Sequence, residues 1–254
     1  MVAGGARVEP VEAGDGESLR AVLRLCDALV HLEYRRPPGQ GAWEGLAGEW
    51  LANVLPTVQV LKAAAEVEVR QVCFASSTAI YIAGGAEVSP YALAKLEQER
   101  FLRLWSRLNG RPAAILRLAT VFGPGEAVRR AVPNFIRAAL AGSAMEVDGD
   151  GSQRFDLIYV DDVAEAFIRA LITSANGTFD IGTGFAHTPR ELAKLIGTLC
   201  GASPAVHEDH SSPAREAVIC DVSRAASVLG FRARTPLVAG LENEIAWFRA
   251  SWRE

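Results

Sequence analysis

Residues 69–95 read VRQVCFASSTAIYIAGGAEVSPYALAK. Val69–Ala75 is a short apolar run of the kind that forms a buried strand, and it ends in Ser76-Ser77-Thr78. Ser89-Pro90 supplies an N-cap and first-turn pair, which predicts a helix from there to about Asn109. On such a helix Tyr91 and Lys95 share a face, so the Lys95 ammonium can approach the Tyr91 ring from the next turn. A free phenol has a pKa of about 10 and is a poor base at neutral pH, but a neighbouring cation and the positive end of a helix favour the phenolate. Tyr91 could then exchange a proton with a carbinol oxygen that Ser77 holds from the strand end.

Outward from this stretch the pattern alternates. Arg7–Val11 reads as a strand, Glu17–Leu25 as a helix and Ala28–Leu32 as a buried strand. Ala42–Glu66 is helical with a kink at Pro56, and Ala113–Arg117 is a further strand. Strand-helix alternation of this kind implies an α/β fold, a doubly wound parallel sheet covered by helices on both faces. After Phe122-Gly123-Pro124-Gly125 the elements shorten: helices Val132–Ala141 and Pro189–Cys200, strands Leu157–Val160 and Thr178–Ile181, and a terminal helix Leu237–Arg249. Asp162-Val163-Ala164-Glu165 has capping-box form for a helix to about Ser174. The expected division is a Rossmann-like domain over residues 1–122 and a smaller, mainly substrate-binding lobe over 123–254.

The 254 residues are 50% hydrophobic and 22% charged with a net charge of −4, a composition that excludes disorder. The apolar runs are strand-sized, far short of the roughly 18 residues a membrane span needs, and no basic block offers a footprint for nucleic acid. Neither a membrane nor a nucleic acid is expected as a partner. The four cysteines form no CxxC pair, which fits a reducing, cytoplasmic setting and argues against a cysteine zinc site. His207-Glu208-Asp209-His210 is the one metal-like cluster, and without a third ligand motif it reads as solvated loop. No metal is expected. Asp161 and Asp162 read as helix caps, and Trp43, Trp50 and Trp105 as core or interface anchors.

A longer series of motifs resembles the extended short-chain dehydrogenase/reductases, in particular the NAD-dependent epimerase/dehydratase family acting on nucleotide sugars. Asp15-Gly16-Glu17-Ser18-Leu19 and Cys26–Leu32 match its third strand, helix and fourth strand, Asn53 with Thr57 its Asn-x-x-Gly-Thr helix, and Ser77, Tyr91 and Lys95 its catalytic triad. Leu116-Arg117-Leu118 to Gly123-Pro124, Gly149–Gln153, Tyr159–Ala164, Asp180–Gly184 and Asp221–Ser223 to Leu229-Gly230 follow in the family's order. The resemblance implies catalytic roles for Ser77, Tyr91 and Lys95. It implies cofactor contacts from Asp15, Asn53, Tyr91 and Lys95 to NAD or NADP, and contacts to a sugar-like small-molecule substrate from Ser77, Thr78, Thr120 and Arg154.

Departures from the pattern qualify those expectations. The family opens with a strand, a Gly-x-x-Gly-x-x-Gly loop, a helix and a second strand that hold the dinucleotide pyrophosphate, and none of this precedes Arg7 here, so the fold is expected to be an N-terminally truncated Rossmann type. Glu33-Tyr34 replaces the small residues that line the family's cofactor channel, Thr78-Ala79 the Asp-Glu pair of sugar dehydratases, and Phe155 the diphosphate-binding arginine, with Arg154 one place earlier. Binding of NAD or NADP by the chain alone is therefore expected to be weak or absent. Arg7–Val11 and Ala28–Leu32 should pair directly, or a second copy should cover the exposed edge, making a homo-oligomer. Three functions follow as alternatives: an NAD(P)-dependent epimerase or oxidoreductase acting on a sugar-like carbinol, an acid/base enzyme without nicotinamide, or a non-catalytic binding or assembly module.

Overall fold

The computed structural model describes residues 8–37, 42–84, 89–126, 130–202, 206–209 and 218–251. They divide into two compact units, the first made of residues up to Leu116 together with Ala170–Thr178, the second of Arg117–Arg169 and the residues from Phe179 onward.

In the first unit α1 (Gly16–Leu23) leads to β1 (Ala28–His31), α2 (Ala42–Glu49), α3 (Leu55–Glu66), β2 (Gln71–Ser77), α4 (Pro90–Asn109) and β3 (Ala113–Leu118). Asp15 caps α1 by accepting the backbone N–H groups of Glu17 and Ser18, each at 3.1 Å. Between α2 and α3 the helix continues through a π-type turn, Trp50–Val54, just ahead of Pro56. Pro56 has no N–H and its ring would press on the carbonyl four residues back, so the chain widens there and Leu55 N–H donates five residues back to Trp50. The sequence reads a kink at Pro56; the strain is taken up by the turn before it. Helix α4 is capped as expected, with Ser89 Oγ accepting Ala92 N–H at 3.1 Å and Gly110 in the left-handed conformation at its end. Phe74, Leu102 and Ile115 are almost wholly buried with Leu61, Val72 and Trp105 in the core beneath the sheet.

The main sheet has the order β1-β2-β3-β7, where β7 is Gly177–Ile181, and β1 runs parallel to β2 with Ala28 opposite Gln71 and His31 opposite Phe74. The sheet is α/β and doubly wound in the expected sense. One strand is not where the sequence puts it. Val8–Val11 forms no strand and Val8 is 70% exposed, while Arg7 lies outside the described residues. Pro10 offers no N–H to a ladder and the Glu9 and Glu12 charges gain nothing from burial, so the apolar alternation there is too weak to hold a strand. The expected direct pairing of that segment with Ala28–Leu32 is thereby corrected: β1 ends the sheet order, and Leu32 beyond it is 59% exposed.

In the second unit β4 (Thr120–Phe122) pairs parallel with β6 (Phe155–Tyr159), which pairs antiparallel with β8 (Ala186–His187). Around them lie α5 (Ala131–Ala141), α6 (Val160–Ile172), α7 (Pro189–Cys200) and α8 (Leu237–Ser251). Strand β5 (Met145–Asp148) pairs with β9 (Val206–Asp209), so His207, Glu208 and Asp209 belong to a strand rather than the expected loop, and His210 lies outside the described residues. Among the described residues no group of three histidine, cysteine or acidic side chains could hold a metal ion. Among the described residues no helix is long and apolar enough to cross a membrane. Asp162 also corrects its expectation. Helix α6 begins two residues earlier, and the Asp162 carboxylate accepts Arg234 and Thr235 N–H at 3.2 and 3.0 Å, tying down the chain that enters α8.

Asp156 and Glu244 are the most deeply buried acids described in this unit. Asp156 on β6 is 1% exposed and accepts Thr183 N–H at 2.9 Å, Thr183 Oγ at 2.6 Å, Gly184 N–H at 2.8 Å and Cys220 N–H at 3.4 Å. Truncating it in Asp156→Ala strands these donors, and a loss of about 3 kcal/mol is expected in urea unfolding. Glu244 on α8 is fully buried and its carboxyl oxygens have no side-chain hydrogen-bond partner among the described residues, with only the Gly123 backbone and the Arg137 charge favouring its ionised form. Burial first and the charge of Glu126 second push it up to about 8, and burial pushes Glu126 to about 7. A glutamate in the unfolded chain gives up its proton near pH 4.5, whereas folded Glu244 keeps it to about 8, so the unfolded state binds fewer protons across that window and stability falls as pH rises. Glu244→Gln should flatten that fall and raise stability at pH 8 relative to pH 5, read from denaturation at a series of pH values.

Candidate active site

Strand β2 and helix α4 place the candidate residues. Ser77 closes β2, with its Oγ accepting Ala79 N–H at 3.2 Å, and the nearly buried Thr78 opens a 3₁₀ turn, Thr78–Gly84. Tyr91 and Lys95 occupy the first turns of α4, one turn apart. Lys95 is 4% exposed, and its amine donates to the Ala75 carbonyl at 2.8 Å, which ties α4 to the end of β2 beside Ser77. The amine also lies 4.7 Å from the ring centroid of Phe74 and 5.6 Å from that of Tyr34. Burial pulls Lys95 down to about 8, against the carboxylates of Glu49 and Glu99, which hold it up. The first unit thus presents Ser77, Thr78, Tyr91 and Lys95 on neighbouring element ends.

Of the supporting side chains, Glu49, Glu99 and His31 were not singled out in the sequence. Glu99, one turn beyond Lys95, is fully buried and accepts Ser76 Oγ and Arg103 Nη2, each at 2.6 Å. Glu49, one turn before Asn53, accepts Tyr34 OH at 2.8 Å and Asn53 Nδ2 at 2.7 Å. His31 on β1 meets Thr57 Oγ at 2.8 Å, and that hydroxyl also accepts Gln98 Nε2 at 2.7 Å while donating to the Asn53 carbonyl at 2.8 Å. With its proton committed to Asn53, the Thr57 hydroxyl can only accept from His31, so Nε2 carries the imidazole hydrogen. Burial and the Lys95 charge lower His31 to about 4 and keep the ring neutral. The available signal was spacing: Glu49 and Glu99 each stand four residues from a residue already picked out.

The remaining expected site residues fall elsewhere. Asp15 is spent as the α1 cap: besides the two backbone groups it accepts Ser18 Oγ at 2.5 Å, and these bonds from Ser18 hold its carboxyl below the usual range. Asn53 is taken up by its own unit, Oδ1 accepting Arg35 N–H and Nδ2 donating to Arg35 O, both at 2.8 Å. It holds the chain after β1 in place. Thr120 and Arg154 belong to the second unit. Thr120 begins β4 opposite Leu157, and Arg154 is exposed just ahead of β6, while Phe155 is half-buried and pairs with His187.

Those side chains do not fit a dinucleotide as they stand. The Tyr34 ring meets the Tyr91 ring edge-on at 5.1 Å and covers the Lys95 amine, so it stands over two of the groups that the resemblance assigns to the cofactor. Glu33 next to it pairs with Arg35 at 2.9 Å and sets a carboxylate on the same segment. Asn53 has both ends of its amide engaged.

Comparison with known proteins agrees with the fold and the motifs. The model of the NAD dependent epimerase/dehydratase family matches residues 5–182. The UDP-glucose 4-epimerase of Mycolicibacterium smegmatis is 33% identical over 216 residues, which cover 78% of this chain and 68% of that protein. The dTDP-L-rhamnose 4-epimerase of Burkholderia thailandensis is 30% identical over 268 residues, 93% of this chain and 72% of that one. Among solved structures, MoeE5 in complex with UDP-glucuronic acid and NAD superposes with a TM-score of 0.87 at 29% identity, over 99% of this chain and 88% of its own. The UDP-glucose 4-epimerase of Thermotoga maritima with UDP-glucose gives 0.82 at 26% identity, over 95% and 84%. With most of its length matched by the family model, and with strands and motifs in the family's order, this chain belongs to the NAD-dependent epimerase/dehydratase family.

Proposed function

We propose that the chain binds a nucleotide sugar and moves a proton at one of its carbinol or carbonyl oxygens, with Tyr91 as the acid/base group, Lys95 as its electrostatic partner and Ser77 holding the oxygen. The observation that carries this reading is Lys95: a cation 4% exposed, tied to the strand end beside Ser77 and one turn from Tyr91. Burying an ammonium is costly and a surface neighbour would not be arranged this way. One of its three N–H donors is used on Ala75, which leaves two for a ligand or for the phenol. The relatives, a UDP-glucose 4-epimerase and a dTDP-L-rhamnose 4-epimerase, and MoeE5 with its bound UDP-glucuronic acid support the substrate class.

The 254-residue chain takes NAD or NADP weakly, a reading supported by the Tyr34 ring over Lys95 and by the engagement of both ends of the Asn53 amide. That favours, as a second reading, acid/base chemistry without nicotinamide. Residues 123–254 are read as the substrate lobe, with Thr120 and Arg154 as candidate substrate residues. A second copy covers the open edge of β1, which sizing by light scattering would show. Four unpaired cysteines among the described residues support a cytoplasmic setting.

The test is proton NMR of a panel of UDP- and dTDP-hexoses incubated with the chain, with and without excess NAD. An altered sugar in either condition supports the proposal, and the NAD arm separates the two readings. No altered sugar and no binding of any panel member would leave the non-catalytic module in its place.

A further inference from the structure

The two rings over the Lys95 amine differ in kind. Phe74 is a strand residue with no exposure and is fixed in the core. Tyr34 lies on residues 32–37, which have no regular secondary structure, and its side chain is 39% exposed. Between them these rings cover an amine whose only other described contact is the Ala75 carbonyl, with Glu49, Glu99 and His31 acting on it at longer range.

The Tyr34 ring is held at its tip. Its hydroxyl donates to Glu49 at 2.8 Å, and burial with the Glu49 charge pushes the phenol up, so it stays a neutral donor. The backbone next to it is held separately, because Asn53 clasps both polar groups of Arg35. Swinging the Tyr34 side chain out therefore breaks one hydrogen bond, the edge-on contact with Tyr91 and the ring's contact with the Lys95 amine, while the Arg35 clasp stays closed. Nothing comparable could move Phe74 without opening the core.

We propose that Tyr34 is the gate of the Tyr91–Lys95 pair and Glu49 its latch, so that a ligand reaches the amine and the phenol only by displacing the Tyr34 ring. A polyhydroxylated ligand is suited to this exchange, because its hydroxyl oxygens offer the ammonium and the phenol acceptors in place of an aromatic face. The proposal deepens the function suggested above by naming the residue that decides what enters, and it rests on that function only for the identity of the ligand.

The chain has three lysines, Lys62, Lys95 and Lys194, so amine acylation followed by peptide mass spectrometry reads Lys95 against internal controls. Lys62 is 75% exposed and serves as the reference. Rates taken from about pH 7 to pH 10 separate a change in access from a change in the amine's proton affinity. Lys95 should react far more slowly than Lys62 in the wild type. Tyr34→Ala should raise its limiting rate at least tenfold relative to Lys62, and Glu49→Gln and Tyr34→Phe, which keep the ring but weaken the latch, should raise it several-fold. Circular dichroism and the unfolding midpoint control for loss of fold, and the two latch variants keep the test open if Tyr34→Ala folds poorly. A Lys95 rate unchanged in all folded variants overturns the gate. UDP-glucose is titrated in parallel: if it binds neither wild type nor Tyr34→Ala while Lys95 labelling still rises, the gate stands and the substrate assignment falls.

Discussion

Tyr91→Phe should lower turnover of an authentic sugar-nucleotide substrate by between about 10²- and 10⁴-fold while leaving the unfolding free energy nearly unchanged. The substitution removes one oxygen. The ring, its edge contact with Tyr34 and the helix that carries it remain, so packing gives no reason for a large stability change. What is lost is the group that takes up or gives the proton as the carbinol oxygen changes charge. Lys95→Met should act in the same direction by removing the cation that favours phenolate, but with a stability change of its own, since the amine's bond to Ala75 ties α4 to β2. Comparing the two separates proton transfer from architecture. A Tyr91→Phe chain with full turnover would remove Tyr91 from the chemistry altogether.

NAD and NADP should bind the 254-residue chain with dissociation constants in or beyond the millimolar range. The side chains nearest Tyr91 and Lys95 oppose binding, because Tyr34 occupies the space, Asn53 is engaged by Arg35 and Glu33 is itself anionic. A cofactor at this end of the site must displace the Tyr34 hydrogen bond to Glu49 and compete with Arg35 for Asn53, and hydrogen bonds to charged groups contribute roughly 1.5–3 kcal/mol each, where each ~1.4 kcal/mol is a factor of ten in affinity. Calorimetric titration, with absorbance of any nucleotide released on denaturation, reads the result. A micromolar constant or stoichiometric bound NAD would show that Tyr34 yields to the cofactor and that other groups seat its pyrophosphate.

The elements legible in the sequence were those whose signals are local. Helix α4 runs from Pro90 to Asn109 as expected because Ser89, Pro90 and Gly110 mark both ends chemically, and α7 runs from Pro189 to Cys200 because Thr188 and Glu191 form a reciprocal cap. Strand β2 was displaced by only two residues. Elements that depend on a distant partner were less visible. Strand β9 exists because Met145–Asp148 offers it a ladder, and nothing in Val206–Asp209 alone announces that. The reverse happened at Val8–Val11, where an apolar alternation is present and no described strand receives it. At Asp162 the capping pattern was real, but the acceptor serves Arg234 and Thr235 across the fold instead of its own helix.

The candidate site shows the same split. Ser77, Tyr91 and Lys95 could be named because strand end and helix face are fixed by short-range rules. Of their supports, Glu99 follows Lys95 by one turn on α4, whereas Glu49, Thr57 and His31 lie on two other stretches of chain and become neighbours only when the sheet forms. Tyr34 was noticed as a bulky residue in a channel, but its hydrogen bond to Glu49 follows from the path of the segment after β1, which Asn53 sets.

Calorimetric titration of UDP-glucose and UDP-glucuronic acid into the wild type, Tyr91→Phe and Ser77→Ala tests most directly whether this pair of side chains is the centre of a sugar-nucleotide site. Saturable binding to the wild type, weakened about tenfold by each substitution as one hydrogen bond is lost, is the expected result. Binding of equal strength in all three chains, or no binding of either ligand to the wild type, would contradict it.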